Sequence, residues 1–133
     1  MHFLHRGLLI TVIVLAFALA ACSPSTTVAG DPLPSGDAER GAALFTESVG
    51  GAPACSTCHT LDGTTRVGPS LQGYADRAGT RVAGQSAEDY THISIIRPAA
   101  YIVDGYGNSM YIQYEQRLAS QQIADLVAYL LTL

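Results

Sequence analysis

Hydrophobic positions near the carboxy terminus repeat with the period of a helix. Ile123, Leu126, Val127, Leu130 and Leu131 fall at i, i+3, i+4, i+7 and i+8 behind Ser120, which reads as the cap. The spacing predicts an amphipathic terminal helix. Upstream, Ser86-Ala-Glu-Asp89 has the form of a capping box, Tyr90, Ile93 and Ile96 follow at helical intervals, and Pro98 stops the run. Asp37 to Phe45 reads as a further helix, with acidic residues early, where the dipole favours them, and Ala43, Leu44 and Phe45 to bury. The stretches between are rich in Gly and Pro, and none alternates apolar and polar residues as a half-buried strand does. The pattern predicts an all-α domain with much irregular backbone and no internal repeat.

The first 36 residues carry a different pattern. A short basic start (His2, His5, Arg6) precedes an apolar run of 14 residues from Leu8 to Ala21, closed by the small residues Ala18, Ala20 and Ala21. A spanning helix needs about 20 apolar residues, so residues 1–21 are expected to be an export signal rather than an anchor. Leu19-Ala20-Ala21-Cys22 resembles the lipobox of bacterial lipoproteins. That resemblance implies a lipidated Cys22 holding the chain to the extracytoplasmic face of a bacterial membrane. Ordinary cleavage nearby would instead leave Cys22 a free thiol, a liability in an oxidising compartment. Residues 22–36, ending SPSTTVAGDPLPSG, are too poor in large apolar groups to bury a core and read as a flexible linker. Extended at ~3.1 Å per residue, it would reach on the order of 40 Å from the lipid. The folded unit is then residues 37–133.

Composition narrows what that unit can be. At 133 residues the chain holds one ordinary domain. It has no lysine, and beyond residue 22 six arginines face eleven Asp and Glu, a net charge of −5. A nucleic-acid partner is excluded, because no basic stripe is present to neutralise phosphates. The unit is also short of core material, with Phe45 its one phenylalanine and no tryptophan, and chains of this size rarely stabilise themselves by burial alone. A large apolar filler is expected.

Cys55-Ser56-Thr57-Cys58-His59 is C-x-x-C-H, the pattern for covalent attachment of a c-type haem. Cysteines three apart can reach the two vinyl groups of one porphyrin, with the adjacent histidine beneath the iron. Three other readings compete. A thioredoxin-type redox pair would follow a strand, which the pattern lacks. A zinc site would need a fourth ligand, for which His92 is the spare histidine beyond residue 22. A Cys55–Cys58 disulfide is the plainest alternative. None of the three explains the need for a filler. For the second axial position, Met110 is the one methionine left once the signal is removed, and lysine is absent. Met110 lies in the glycine-rich stretch Gly105-Tyr-Gly-Asn-Ser-Met110, which can approach a flat cofactor closely, whereas His92 lies within a predicted helix. Met110 is the expected ligand.

With these residues in view, positions 37–133 resemble the class I cytochrome c family. The resemblance implies an all-α fold of a few helices around one haem c, held through Cys55 and Cys58, with His59 and Met110 as iron ligands. It implies an amino-terminal helix whose Gly41 and Phe45 cross a carboxy-terminal helix offering Leu126, Tyr129 and Leu130. Val67-Gly68-Pro69-Ser70-Leu71 is similar to the family's G-P-x-L segment, which implies that the Pro69 carbonyl accepts the imidazole N–H of His59. Ala87 to Leu133 is especially similar to cytochrome domains tethered to haem-copper oxidases. One departure is Tyr111, where the family often has proline after the methionine.

The function implied is a monomeric single-haem electron carrier between membrane redox complexes, toward a terminal oxidase or comparable acceptor. A haem-based gas sensor or peroxidase-like enzyme is the alternative and would need a displaceable distal ligand. Tyr74, Tyr101, Tyr106, Tyr111, Tyr114 and the six arginines are candidates to line the pocket or bond the haem propionates. A lysine-free acidic surface cannot meet an acidic partner through a lysine ring. Docking is expected to be mainly apolar, with the tether supplying proximity.

Overall fold

The computed structural model describes residues 32–133. The predicted signal, Cys22 and most of the linker lie outside the described residues. Among the described residues the regular structure is helical: α1 (Ala38–Thr46), α2 (Tyr74–Ala78), α3 (Ala87–Ile96), α4 (Tyr114–Arg117) and α5 (Ser120–Leu130). No helix among them is long and apolar enough to cross a membrane.

The first and last helices of the described residues meet where α1 crosses α5. Asp37 caps α1, its Oδ1 accepting from the backbone N–H groups of Glu39 and Arg40 at 2.9 and 3.1 Å. One turn on, Gly41 faces α5 so closely that a Cβ there would overlap the Asp125 carbonyl oxygen. The next turn brings Phe45, 2% exposed, against Tyr129, with ring centroids 5.7 Å apart. Leu126 and Leu130, grouped with Tyr129 by the family resemblance, share the buried core with Phe45 and also line the cavity.

A carboxylate at this crossing escaped the hydrophobic pattern. Asp125 is 2% exposed. Its oxygens accept from Arg40 Nε (2.8 Å) and Nη2 (3.0 Å), the Asp37 backbone N–H (2.8 Å) and Gln121 Nε2 (2.9 Å). The Arg40 hydrogen bonds, more than any other contact, hold the Asp125 carboxyl down to about 2. Gln121 also donates to the Ser35 carbonyl at 2.8 Å, and Leu33 packs on the core edge. The stretch from Leu33 to Gly36, linker by composition, therefore lies against α5.

Two details of the predicted helices differ. Ser120 is not the cap of α5: Ala119 holds that position, and the Gln122 side chain accepts its backbone N–H at 2.9 Å. In α3 the capping box of Ser86 and Asp89 forms as read, but the buried face runs through Tyr90, Thr91 and Ile95 rather than Ile93 and Ile96. The helix turns Thr91 and Ser94 toward a cavity, so polar residues occupy positions that periodicity reserves for apolar ones. The short helices α2 and α4 sit in stretches read as loops and carry Tyr74 and Tyr114 inward.

Replacing Asp125 by Asn should cost about 1–3 kcal/mol near neutrality by leaving buried donors mismatched. The folded carboxyl titrates near 2 against about 4 in the unfolded chain, so its contribution is complete above about pH 4 and disappears as pH falls through about 2. Denaturant unfolding of both proteins should show the gap closing across that window. A gap of constant size would contradict this assignment.

Candidate functional site

A cavity of about 370 Å³ opens between α3, α5 and the long loops, within the ~300–1,000 Å³ typical of cofactor clefts. Cys55, Cys58, His59, Pro69 and Met110 all contribute to its wall. His92 does not. It lies half-buried on α3. Leu71, Ile95, Leu126 and Leu130 supply apolar surface, and among the described residues no Asp, Glu or Arg reaches the wall.

Local backbone bonding places the first three residues. Cys55–Thr57 forms a single 3-10 turn, and the Cys58 and His59 N–H groups donate to the Cys55 carbonyl at 3.1 and 3.0 Å. This winds both thiols and the imidazole onto one side of a tight loop. Neither thiol is in a disulfide. Burial pushes the Cys55 thiol up to about 11, the reverse of the lowered thiol of a redox-active C-x-x-C. Among the described residues no three of His, Cys, Asp and Glu converge to hold a metal ion, which removes the geometric basis for zinc.

The imidazole is oriented by register. Gly68 N–H donates to the Cys58 carbonyl at 3.0 Å and Leu71 N–H to the Thr60 carbonyl at 2.8 Å, so two backbone bonds flank His59 on either side. Between them the Pro69 carbonyl lies 2.8 Å from His59 Nδ1. A carbonyl can only accept, so Nδ1 carries the proton and Nε2 keeps its lone pair. Gly68 makes the approach possible, since a Cβ there would stand 2.5 Å from His59 Cε1. Arg77 steadies the same loop, donating to the carbonyls of Gln72 (2.7 Å), Gly73 (2.9 Å) and Ser70 (3.3 Å).

Met110 follows an exposed loop turned by Gly105, whose φ of +86° suits glycine. The next residue, Tyr111, packs edge-on against Tyr114 at 5.1 Å, and Tyr114 donates its hydroxyl to the Pro53 carbonyl at 2.9 Å. Burial pushes the Tyr114 phenol well above its ordinary value. An aromatic anchor thus follows the methionine where the family often has proline.

All five tyrosines proposed from the sequence line the cavity, and Tyr90, read there only as a helix-packing residue, lines it too. The arginines do not. Arg40 is held by Asp37 and Asp125, Arg66 by the Ser56 carbonyl at 3.1 Å and Arg77 by its loop. These three arginines are bound to carboxylate or carbonyl groups, and the cavity wall bears hydroxyls in place of arginine. The residues present fit a covalent haem: an apolar cleft of suitable size, two unpaired thiols beside an imidazole of fixed tautomer, and a thioether in the same wall.

A family model described as Cytochrome c matches residues 38–133. Comparison with curated proteins one by one gives no match.

Gly68→Ala should drive the imidazole off the Pro69 carbonyl, and nitrogen-15 NMR should show loss of the protected Nδ1–H resonance of His59. Tyr114→Phe, which strands the Pro53 carbonyl, should cost about 1 kcal/mol in unfolding free energy while leaving that resonance in place.

Proposed function

The chain belongs to the cytochrome c family, and from that premise we propose that it carries single electrons between membrane redox complexes, toward a terminal oxidase or comparable acceptor. It does so as an exported lipoprotein held by Cys22 to the extracytoplasmic face of the membrane. The observation that carries the reading is one cavity wall containing Cys55, Cys58, His59 and Met110. Membership in the family makes this a haem-based electron-transfer protein with covalently bound haem c.

The haem supplies a one-electron ferrous–ferric couple. The chain's residues do the rest. Cys55 and Cys58 would hold the haem as thioethers, leaving no thiol to oxidise. His59 would offer Nε2 to the iron, with Pro69 accepting from Nδ1. Met110 would offer a neutral sulfur, favouring the less charged ferrous state. Leu71, Ile95, Leu126 and Leu130 exclude water and disfavour added positive charge, pushing the potential in the same direction. With His59 and Met110 both holding the iron, no position would be left for a substrate, which would separate a carrier from a gas sensor or peroxidase-like enzyme.

Docking is apolar in this reading. Val67 and Ile102 line the cavity yet remain 57% and 40% exposed, and Ile112, near Met110 in sequence, is 65% exposed. Among the described residues the cavity wall carries no Asp, Glu or Arg to steer a partner over long distances. Proximity comes from the tether.

Met110→Ala should keep one haem per chain by the pyridine haemochrome assay, lose the near-infrared sulfur-to-iron band of the oxidised protein and let the reduced protein bind carbon monoxide. Persistence of the band would remove Met110 from the iron. Electron transfer by the tethered protein should change less than about twofold as added salt shortens the Debye length from ~30 to ~8 Å, and a steep loss of rate would reject apolar docking.

A further inference from the structure

The two residues that would hold the iron are fixed in different ways. His59 is flanked by backbone hydrogen bonds from Gly68 to Cys58 and from Leu71 to Thr60. Met110 has no such support. Between residues 102 and 112 the backbone bonds run from Tyr106 to Val103 (3.1 Å) and from Ser109 to Gly107 (3.0 Å), and among the described residues none ties this stretch to another element. The stretch is largely exposed and carries two glycines, whose backbone freedom is costly to freeze. Whatever fixes the thioether must come from side chains.

Tyr111 follows the methionine directly, and its ring meets Tyr114 edge-on at 5.1 Å. Tyr114, 6% exposed, donates its hydroxyl at 2.9 Å to the carbonyl of Pro53, two residues before Cys55. The helix that begins at Tyr114, α4, reaches the same segment a second time. A Cβ at Gly50 would stand 2.8 Å from the Arg117 carbonyl oxygen, so the turn closed by Val49 and Ala52 lies tight against α4. Ala52, Tyr114 and Leu118 are buried in one cluster, against which Met110 and Tyr111 pack. The segment after Met110 is thus fastened to the segment before Cys55.

We propose that Tyr111 and Tyr114 are positioning residues for Met110, Tyr111 seating its ring on Tyr114 and Tyr114 fastened to the Pro53 carbonyl, so that the thioether is held in register with the loop carrying Cys55, Cys58 and His59. This rests on the haem reading given above. Proline after the methionine would restrict the backbone by fixing φ, and here a side-chain contact between two loops restricts it instead. The consequence is measurable. A ligand added from solution can bind the iron only while Met110 is away, so its apparent affinity scales with the fraction of protein in that state. Removing the edge-on contact should raise that fraction roughly two- to tenfold.

The test uses the mature, oxidised haem protein and titration with imidazole, with haem content, the near-infrared sulfur-to-iron band and guanidinium unfolding measured alongside. Tyr111→Ala and Tyr114→Phe should bind imidazole roughly two- to tenfold more tightly than the unsubstituted protein. Tyr111→Phe, which keeps the ring, and Asp125→Asn, which weakens the α1–α5 crossing instead, should both stay within about twofold. Unchanged affinity in Tyr111→Ala or in Tyr114→Phe, with haem content and the band intact, overturns the proposal and leaves the carrier reading standing. A rise in Tyr111→Phe equal to that in Tyr111→Ala removes the ring contact as the cause, and an equal rise in Asp125→Asn assigns the effect to loosening of the whole fold. Either result also overturns it. If Tyr111→Ala takes up no haem, Tyr111→Leu, which keeps apolar bulk without the ring, answers the same question. Absence of the band from the unsubstituted protein overturns Met110 ligation and this proposal together.

Discussion

The crossing of α1 over α5 is the contact on which the rest of this small protein depends. With so few large residues, the chain cannot assemble a solid centre, and it encloses a cavity instead. Enclosure requires its two ends to close on each other. The absence of a side chain at Gly41 lets the helix backbones touch, Phe45 fills the corner against Tyr129, and Asp125 ties Asp37, Arg40 and Gln121 into one polar cluster. Fixed in this way, α5 can turn Leu126 and Leu130 inward as part of the cavity wall.

The chemistry of that wall follows from separating charge from cofactor. Ionic groups are spent where they organise backbone: Asp125 at the crossing, Arg77 on the loop bearing Pro69, Asp62 on the turn at Thr64. The interior receives neutral groups, namely thiols, an imidazole, a thioether and phenols. Such a lining favours the less charged state of a redox centre and gives little purchase for long-range steering. In the proposed carrier, a raised potential and apolar docking would share that one cause.

Much of this was legible in the chain, and the gaps have physical reasons. The spacing of Cys55, Cys58 and His59 predicts their meeting, the family resemblance adds Pro69, and the 2.8 Å approach of Pro69 to His59 agrees with it. Met110 was found by scarcity, and the structure brings it to the same cavity. Asp125 was invisible because its partners are 85 and 88 residues away, and periodicity has no term for a buried carboxylate. The face of α3 was misjudged because Thr91 and Ser94 look toward a cofactor cleft rather than a hydrocarbon core. Of the side chains with a place offered in the pocket, the tyrosines line the cavity and the arginines do not, and three of the six arginines bind the protein's own oxygen atoms.

The polar cluster at Asp125 also has a mechanical meaning. The chain enters the fold at Ser35 and Asp37, both bound directly to α5 residues near the opposite end. Tension transmitted from the preceding segment would load this clasp in shear before reaching the loops that carry His59 and Met110. A pull along the chain would leave the cavity wall undeformed for as long as the clasp holds.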